Sequence, residues 1–280
     1  MKRNLDKHQL IERSILTTYR KTLWSPFVYA VKKYRLIQEG DKIAVCISGG
    51  KDSMLLAKLM QQLHRHSEIP FELVFLVMDP GYAPENRRKI EENAAILHIP
   101  VEIFESDVFA TADAISASSP CYLCARMRRG HLYAKAKELG CNKIALGHHK
   151  SDVIETTLMA MLYGAQIQGM LPRIKSTNFE GMELIRPMCC ILEEDILRWQ
   201  QYNELQFIAC ACKFTKNVTG GEEDTFSARR KVKALIAELK KENPTVESNI
   251  FQSIHNVQLD TLAEYKKDGV KHSFLDKFDD

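Results

Sequence analysis

At 280 residues, 45% hydrophobic and 27% charged, the chain is long enough to bury a sizeable core and is ordinary in composition for a globular protein. No apolar run approaches the roughly 18–20 residues of a membrane span. The polar start MKRNLDKHQLIERSILTTYRK lacks the apolar core of a secretory signal, so membrane and export classes are set aside and a cytoplasmic location is expected.

The net charge of +3 is small but unevenly placed. Residues 1–35 hold nine Lys/Arg (Lys2, Arg3, Lys7, Arg13, Arg20, Lys21, Lys32, Lys33, Arg35) against Asp6 and Glu12. This basic, helical-looking arm over 1–40 suits a polyanion such as nucleic acid, or is a solvated helix face. KIAVCI (42–47) follows as a continuous apolar run, the pattern of a strand buried on both faces. It runs into Ser48-Gly49-Gly50-Lys51-Asp52-Ser53, after which Leu55, Leu56, Leu59, Met60 and Leu63 recur at helical spacing. FELVFLVM (71–78) predicts a second strand, then come a helix near 85–97 and a third strand, VEIFE (101–105). Leu132, Ala136 and Leu139 mark a helix closed by Gly140. KIALGH (143–148) predicts a fourth strand with a helix over 151–163, and MELIRPM (182–188) a fifth with a helix near 193–203. This alternation predicts an α/β fold, a doubly wound parallel sheet with crossover helices over residues 41–205. Residues 206–280 show little strand character and read as a C-terminal helical region.

The turn after the first strand carries chemistry. In a parallel sheet, ligands bind at the carboxyl ends of strands, where helix N-termini present free N–H groups. Gly49 and Gly50 can take positive φ and expose bare backbone to an anion. Ser48 and Ser53 add hydroxyl donors, Lys51 adds a charge, and the helix end favours phosphate. Asp52 is out of place in an anion site unless it caps the helix or holds a Mg²⁺ against the phosphates. SGGKDS resembles the PP-loop signature of ATP pyrophosphatases, enzymes that adenylate an oxygen and release pyrophosphate. A second strand-to-helix segment, ALGHHKSDVIETTLM (145–159), resembles the G-H-x-x-D-D-x-x-E-T segment lying across that site. His148, Asp152, Glu155 and Thr156 match, and Ser151 stands where the first Asp is expected. The resemblance makes ATP the nucleotide and Asp152 with Asp52 the Mg²⁺ candidates; an Asp N-cap on an ordinary helix is the plainer reading of Asp152.

Eight cysteines in a cytoplasmic chain do not suggest a disulfide framework. Cys46, inside a strand, and Cys141, after a helix-ending glycine, read as small buried hydrophobes. Cys189 and Cys190 read as strand-end packing, with ligation as the alternative. SSPCYLCARMRRG (118–130) holds a C-x-x-C opening a helix, flanked by Arg126, Arg128 and Arg129, a setting that favours thiolate. A redox pair, a zinc half-site and an iron–sulfur half-site are all compatible with it. The second cluster, FIACACKF (207–214), supplies Cys210 and Cys212.

The basic arm, EGDKIAVCISGGKDS, CYLCARMRRGHLYAKAKELG, KIALGHH, YGAQIQGMLPR and LIRPM occur in this order. Together they resemble the tRNA 2-thiocytidine synthetase (TtcA) family over residues 20–260. That resemblance implies a 4Fe-4S cluster on three cysteines, matching Cys121, Cys124 and Cys210, with Cys212 as the other choice for the third. It implies an ATP-dependent tRNA sulfurtransferase with Lys51 and Asp52 at the reacting phosphates. Its partners would be tRNA and a sulfur donor such as a cysteine desulfurase or sulfide, and a homodimer is compatible with it. The expected reaction adenylates the C2 oxygen of a cytidine in the anticodon loop and replaces it with sulfur. Arg126, Arg128, Arg129 and Arg173 are expected on the strand-end face, where RNA phosphates must pass. The competing reading is a PP-loop ligase, amidotransferase or sulfurtransferase acting on another base or small molecule, with zinc on the cysteines. A nucleotide-dependent metal- or RNA-binding module is the non-enzymatic one.

Overall fold

The computed structural model describes residues 5–106, 120–208 and 223–278. Helix α1 (Lys7–Leu16), a π-helical turn (Arg20–Trp24) and helix α2 (Ser25–Lys33) precede strand β1 (Lys42–Ile47). Helix α3 (Lys51–His66), β2 (Glu72–Asp79), α4 (Pro84–Ile96), β3 (Val101–Glu105), α5 (Pro120–Glu138) and β4 (Lys143–Ala145) follow. Then come α6 (Lys150–Gly164), β5 (Arg173–Lys175), β6 (Glu183–Ile185), α7 (Glu193–Tyr202), α8 (Glu223–Glu242) and α9 (Val246–Ser253). A short hairpin, β7 (Glu264–Lys267) and β8 (Val270–Ser273), lies near the end.

The main sheet has the order β3-β2-β1-β4-β6-β5, parallel except for β5, which runs antiparallel to β6. Its alternation is visible in β1. Ile43, Val45 and Ile47 join α3 in one core, while Ala44 and Cys46 face the core built on Tyr133, Ala136 and Ile144. A strand buried on both faces needs no polar positions, which is why KIAVCI reads as an unbroken apolar run. Cys46 and Cys141 are buried in that second core. The strand order reverses between β1 and β4, so the crevice at their carboxyl ends is the topological switch point where ligands bind in such sheets.

The structure departs from expectation at four places. The fourth and fifth strands are shorter than predicted, because the chain leaves β4 at Leu146 to bring Gly147 against α3, and Pro187 has no N–H to donate beyond β6. Strand β5 spans three half-exposed or exposed residues with no apolar run to reveal it. The hairpin β7–β8 stands in a region expected to be helical throughout. Its turn is Asp268-Gly269, both at positive φ, joining strands too polar to show alternation. The basic arm is built into the protein rather than hanging from it: Ile11, Ile15, Leu23 and Phe27 lie in the same core as β1 and α3.

Candidate functional site

Two strand-to-helix turns meet at the switch point. The first leaves β1 through Ser48, Gly49 and Gly50 and enters α3 at Lys51. Gly49 has φ +85°, and a Cβ there would sit 2.5 Å from Ile90 Cγ1 and 2.9 Å from Ile208 Cδ1. Gly50, at φ −80°, needs no left-handed backbone; a Cβ there would only touch the Ile208 carbonyl and Ser48 Oγ at 3.7 Å. Only one of the two glycines is therefore conformationally required, contrary to expectation. Ser53 also departs from its expected role as an anion donor. Its hydroxyl donates to the Gly50 carbonyl (3.0 Å) and accepts the Ser48 N–H (3.1 Å), stapling the turn from beneath. Ser48 remains exposed at the mouth, its hydroxyl 3.2 Å from Ser53 Oγ.

No described side chain caps α3, so the N–H groups of its first turn stand at the crevice with the positive end of the helix behind them. Asp52 lies in that first turn without capping it. One of its oxygens, Oδ2, accepts from Lys51 Nζ at 3.1 Å, while Oδ1 is buried with no hydrogen-bond partner among the described residues. Burial pushes the Asp52 carboxyl above the ordinary aspartate range, against the pull of His149 and Lys51. A buried carboxylate oxygen without a donor is costly, and a cation is the natural partner for it.

The second turn, residues 146–149, leaves β4 and enters α6. Gly147 permits its approach to the first: a Cβ there would lie 3.1–3.2 Å from the backbone of Asp52 and Ser53. His149 is the N-cap of α6, its Nδ1 accepting the Asp152 N–H at 3.3 Å while Asp152 Oδ2 accepts the His149 N–H at 2.9 Å. Asp152 is therefore not the N-cap expected of its plainer reading; it stands at the third helical position and completes the capping box with His149. Its other oxygen faces Arg229 at 3.4 Å, and His149 Nε2 lies 3.8 Å from Asp52 Oδ1, so the two aspartates flank one imidazole. His148 is turned inward with Nδ1 unpartnered among the described residues. Burial, reinforced by the Arg186 guanidinium, pushes its imidazole down to about 4, so it is neutral at physiological pH. Thr156 Oγ1 is also buried without a partner among the described residues, and Glu155 Oε2 faces Arg229 at 3.8 Å.

The structure adds Glu193, Lys233 and Arg229, which sequence reasoning did not single out. Glu193 opens α7 and accepts from Lys51 Nζ at 2.9 Å and from Lys233 Nζ, so the turn's lysine is clamped between Asp52 and Glu193. Burial opposes its charge, but the hydrogen bonds from Lys233 and Lys51 outweigh it and draw the carboxyl down to about 2. Ser151, the departure from the expected Asp, accepts the Glu193 N–H at 3.2 Å and so anchors the start of α7. Glu193 begins an acidic triplet that reads in sequence only as dipole complementation of a helix end. Lys233 and Arg229 sit on α8, far along the chain, with no local signal. A cavity of about 250 Å³ opens beside these groups, lined by Ser151, Glu155, Glu193 and Lys233.

The cysteines divide into those within reach and those outside the described residues. Cys121 and Cys124 lie in the first turns of α5, three positions apart on the backbone of one helix face. Helix α5 leads from β3 to the parallel strand β4, so its N-terminus lies at the carboxyl edge of the sheet, and Arg128 there reaches Tyr82 Oη at 3.4 Å. Cys210 and Cys212 lie outside the described residues. The chain leading to them is anchored beside the nucleotide turn, with the Ile208 N–H on the Gly49 carbonyl at 3.4 Å and the Gln206 carbonyl accepting from Asn93. Cys189 is buried among α2, α6 and α8. Arg126 and Arg129 are exposed. Arg173 does not take the expected strand-end role: its guanidinium is tied to Glu183, Gln38 and the Arg35 carbonyl. Its charge is neutralised by a carboxylate.

A Ser-Gly-Gly-Lys-Asp-Ser turn between strand and uncapped helix, at the switch point of a doubly wound sheet, defines a PP-loop protein. The family model described as a PP-loop domain matches residues 22–215. The tRNA-cytidine(32) 2-sulfurtransferase of Alkalilimnicola ehrlichii is 35% identical over 254 residues, covering 89% of this chain and 77% of that protein. Its namesake from Paracidovorax citrulli is 34% identical over 250 residues (88% and 76%), and that from Coxiella burnetii strain RSA 331 is 35% identical over 242 (85% and 90%). The chain belongs to the tRNA-cytidine(32) 2-sulfurtransferase family. Among solved structures, the U34-tRNA thiolase NcsA of Methanococcus maripaludis, with its [4Fe-4S] cluster, superposes with a TM-score of 0.65 at 21% identity, over 86% of this chain and 80% of that one. That likeness is one of fold.

Proposed function

We propose that this protein is an ATP-dependent tRNA sulfurtransferase that converts a cytidine of the anticodon loop to 2-thiocytidine. The observation that carries the reading is the first turn of α3, uncapped by any described side chain, with Lys51 and a buried Asp52 oxygen that has no hydrogen-bond partner among the described residues. A triphosphate there would take the free N–H groups, Ser48 Oγ and Lys51, the last leaving Glu193, whose charge Lys233 would still balance. The C2 oxygen of the cytidine then attacks the α-phosphorus and pyrophosphate departs. A sulfur nucleophile next adds at C2 and AMP leaves with the former carbonyl oxygen. Lys51 acts on the charge that accumulates on the phosphate oxygens as pyrophosphate forms. A target base reaches such a crevice only when splayed from its stack, which an anticodon loop permits.

Asp52 and Asp152 would hold Mg²⁺. The buried Oδ1 of Asp52 suits a cation, and among the described residues Asp152 Oδ1 is held by a long contact to Arg229. Bound there with the phosphates, the ion would supply charge neutralisation. For the sulfur step, Cys121, Cys124 and Cys210 would hold a 4Fe-4S cluster. The donor set is chemically suited, and the first two cysteines share one helix face. When bound it supplies a coordination site for inorganic sulfur.

The test combines two measurements. Purified protein, ATP, sulfide and unmodified tRNA should yield AMP, pyrophosphate and 2-thiocytidine in equal amounts. ADP as the product, or AMP formation with no thionucleoside on any tRNA, would overturn the reading.

A further inference from the structure

An open pocket of about 370 Å³ lies between α2, the start of α6 and α9, lined by Lys21, Ser25, Tyr29, Lys150, Cys190 and Phe251. No carboxylate lines it among the described residues. Lys150 Nζ stands 5.0 Å from the centre of the Phe251 ring, and Lys33 Nζ stands 5.2 and 5.4 Å from those of Tyr29 and Tyr34. These ammonium groups lie against aromatic rings and form no ion pair with a carboxylate among the described residues, so their charge is available to an anion. Cys190 is half-buried in the pocket wall and Cys189 is buried behind it. The Lys150 N–H donates to the Ile191 carbonyl at 2.7 Å, pinning the cysteine pair to the first residue of the helix that carries Asp152.

The two thiols are not equivalent. The adjoining Cys190 sulfur and burial push the Cys189 thiol up. The adjoining Cys189 thiol draws Cys190 below the ordinary thiol range against the cost of burial, with help from Lys150 and Lys33. Tyr34 is kept protonated by burial, and its hydroxyl is 2.9 Å from His255 Nε2. Arg186 adds a positive charge behind Cys189. Cys190, half-buried and lining the pocket, is the sulfur a small molecule can reach, whereas Cys189 is buried.

Resting on the sulfurtransferase reading, we propose that Cys190 is a sulfur-loading site that takes the outer sulfur of a small anionic persulfide or polysulfide. A thiol beside lysines that form no ion pair among the described residues, in a pocket of small-molecule size, fits that chemistry. The Cys190 thiolate attacks the terminal sulfur of R–S–SH. A bond forms between that sulfur and Cys190 Sγ, the donor's S–S bond breaks, and RS⁻ leaves with the bonding pair. The transferred sulfur keeps its hydrogen, and Cys190 becomes Cys190–S–SH without any further oxidant or reductant.

The experiment needs neither ATP nor tRNA. Full-length protein is treated anaerobically with inorganic polysulfide at neutral pH, alkylated and digested with trypsin, and peptide 176–198 is weighed. One added sulfur is expected on this peptide in the wild type and in Cys189→Ser, and none in Cys190→Ser. Lys150→Gln, which leaves both thiols in place, should slow loading about tenfold at neutral pH, the effect of moving the thiol by about one pH unit. An unloaded wild type, sulfur retained in Cys190→Ser or found on Cys189, or an unchanged rate in Lys150→Gln would overturn the proposal. A failure to load leaves the sulfurtransferase reading standing, whereas loaded protein that thiolates no tRNA counts against that reading alone.

Discussion

Lys51 and Asp52 are adjacent in sequence yet differ in how much their neighbours explain. Lys51 has two carboxylate partners, whereas Asp52 keeps one buried oxygen unpartnered among the described residues. That oxygen is a cost to the protein unless a ligand satisfies it. Lys51→Ala should lower AMP formation by about a hundredfold to a thousandfold, the scale of losing one group aimed at developing charge. Asp52→Asn should weaken the dependence on Mg²⁺ as well as the rate. On the proposed assignment the cysteines and the turn at residues 48–53 are separate segments, so both variants should bind as much iron as the wild type; iron lost with either would contradict that separation. His148 bears on pH. Its folded value of about 4 lies below the ordinary 6.5, so the unfolded chain binds the proton more readily. Its contribution to stability is complete above pH 6.5 and is lost as pH falls towards 4. Thermal unfolding followed across that window should show the loss in the wild type and a flatter profile in His148→Gln.

At the scale of elements, the site exists because two turns can touch. Gly49→Ala would force a side chain into left-handed backbone and against Ile90, costing about 1–3 kcal/mol in denaturant unfolding. Gly147→Ala is a different case, because its Cβ would press on the backbone of α3 at Asp52 rather than on a movable side chain. It should separate the two turns, so nucleotide affinity should fall several-fold more than stability does; a matched loss of both would mean that the two turns only pack together. The same meeting of turns explains what was legible. The strand–glycine–helix punctuation around residues 48–53 is a local code, readable because phosphate recognition by backbone requires bare glycine and a helix start. Glu193 and Lys233 were not readable, since an acid opening one helix and a lysine on another acquire meaning only when Glu193 reaches Lys51 and Lys233 reaches Glu193.

For the whole molecule, the basic arm is the feature that changes most between sequence and structure. Its seven described cations, Lys7, Arg13, Arg20, Lys21, Lys32, Lys33 and Arg35, are all exposed, and none forms an ion pair with a carboxylate among the described residues. The solvated-face reading and the polyanion reading both survive that fact, and salt distinguishes them. Replacing Lys7, Arg13, Arg20 and Lys32 with Gln should weaken tRNA binding and lower the slope of log K against log salt by about 0.7–0.9 for each phosphate no longer neutralised. ATP binding should not change. An unaltered slope would return these residues to solvent.

The sequence by itself determined the parallel α/β sheet and the position of the glycine turn at residues 48–53 between the first strand and its helix. These rest on short-range physics: apolar runs of strand length, glycine at a tight turn and helical spacing afterwards. The structure decided that Ser53 staples the turn, that Arg173 is neutralised by Glu183, and that Glu193 clamps Lys51. In each case a polar side chain's role depends on which partner the fold brings within its reach. Chain packing sets that partner, often across tens to hundreds of residues, and a reading of residue types along the chain does not reveal it.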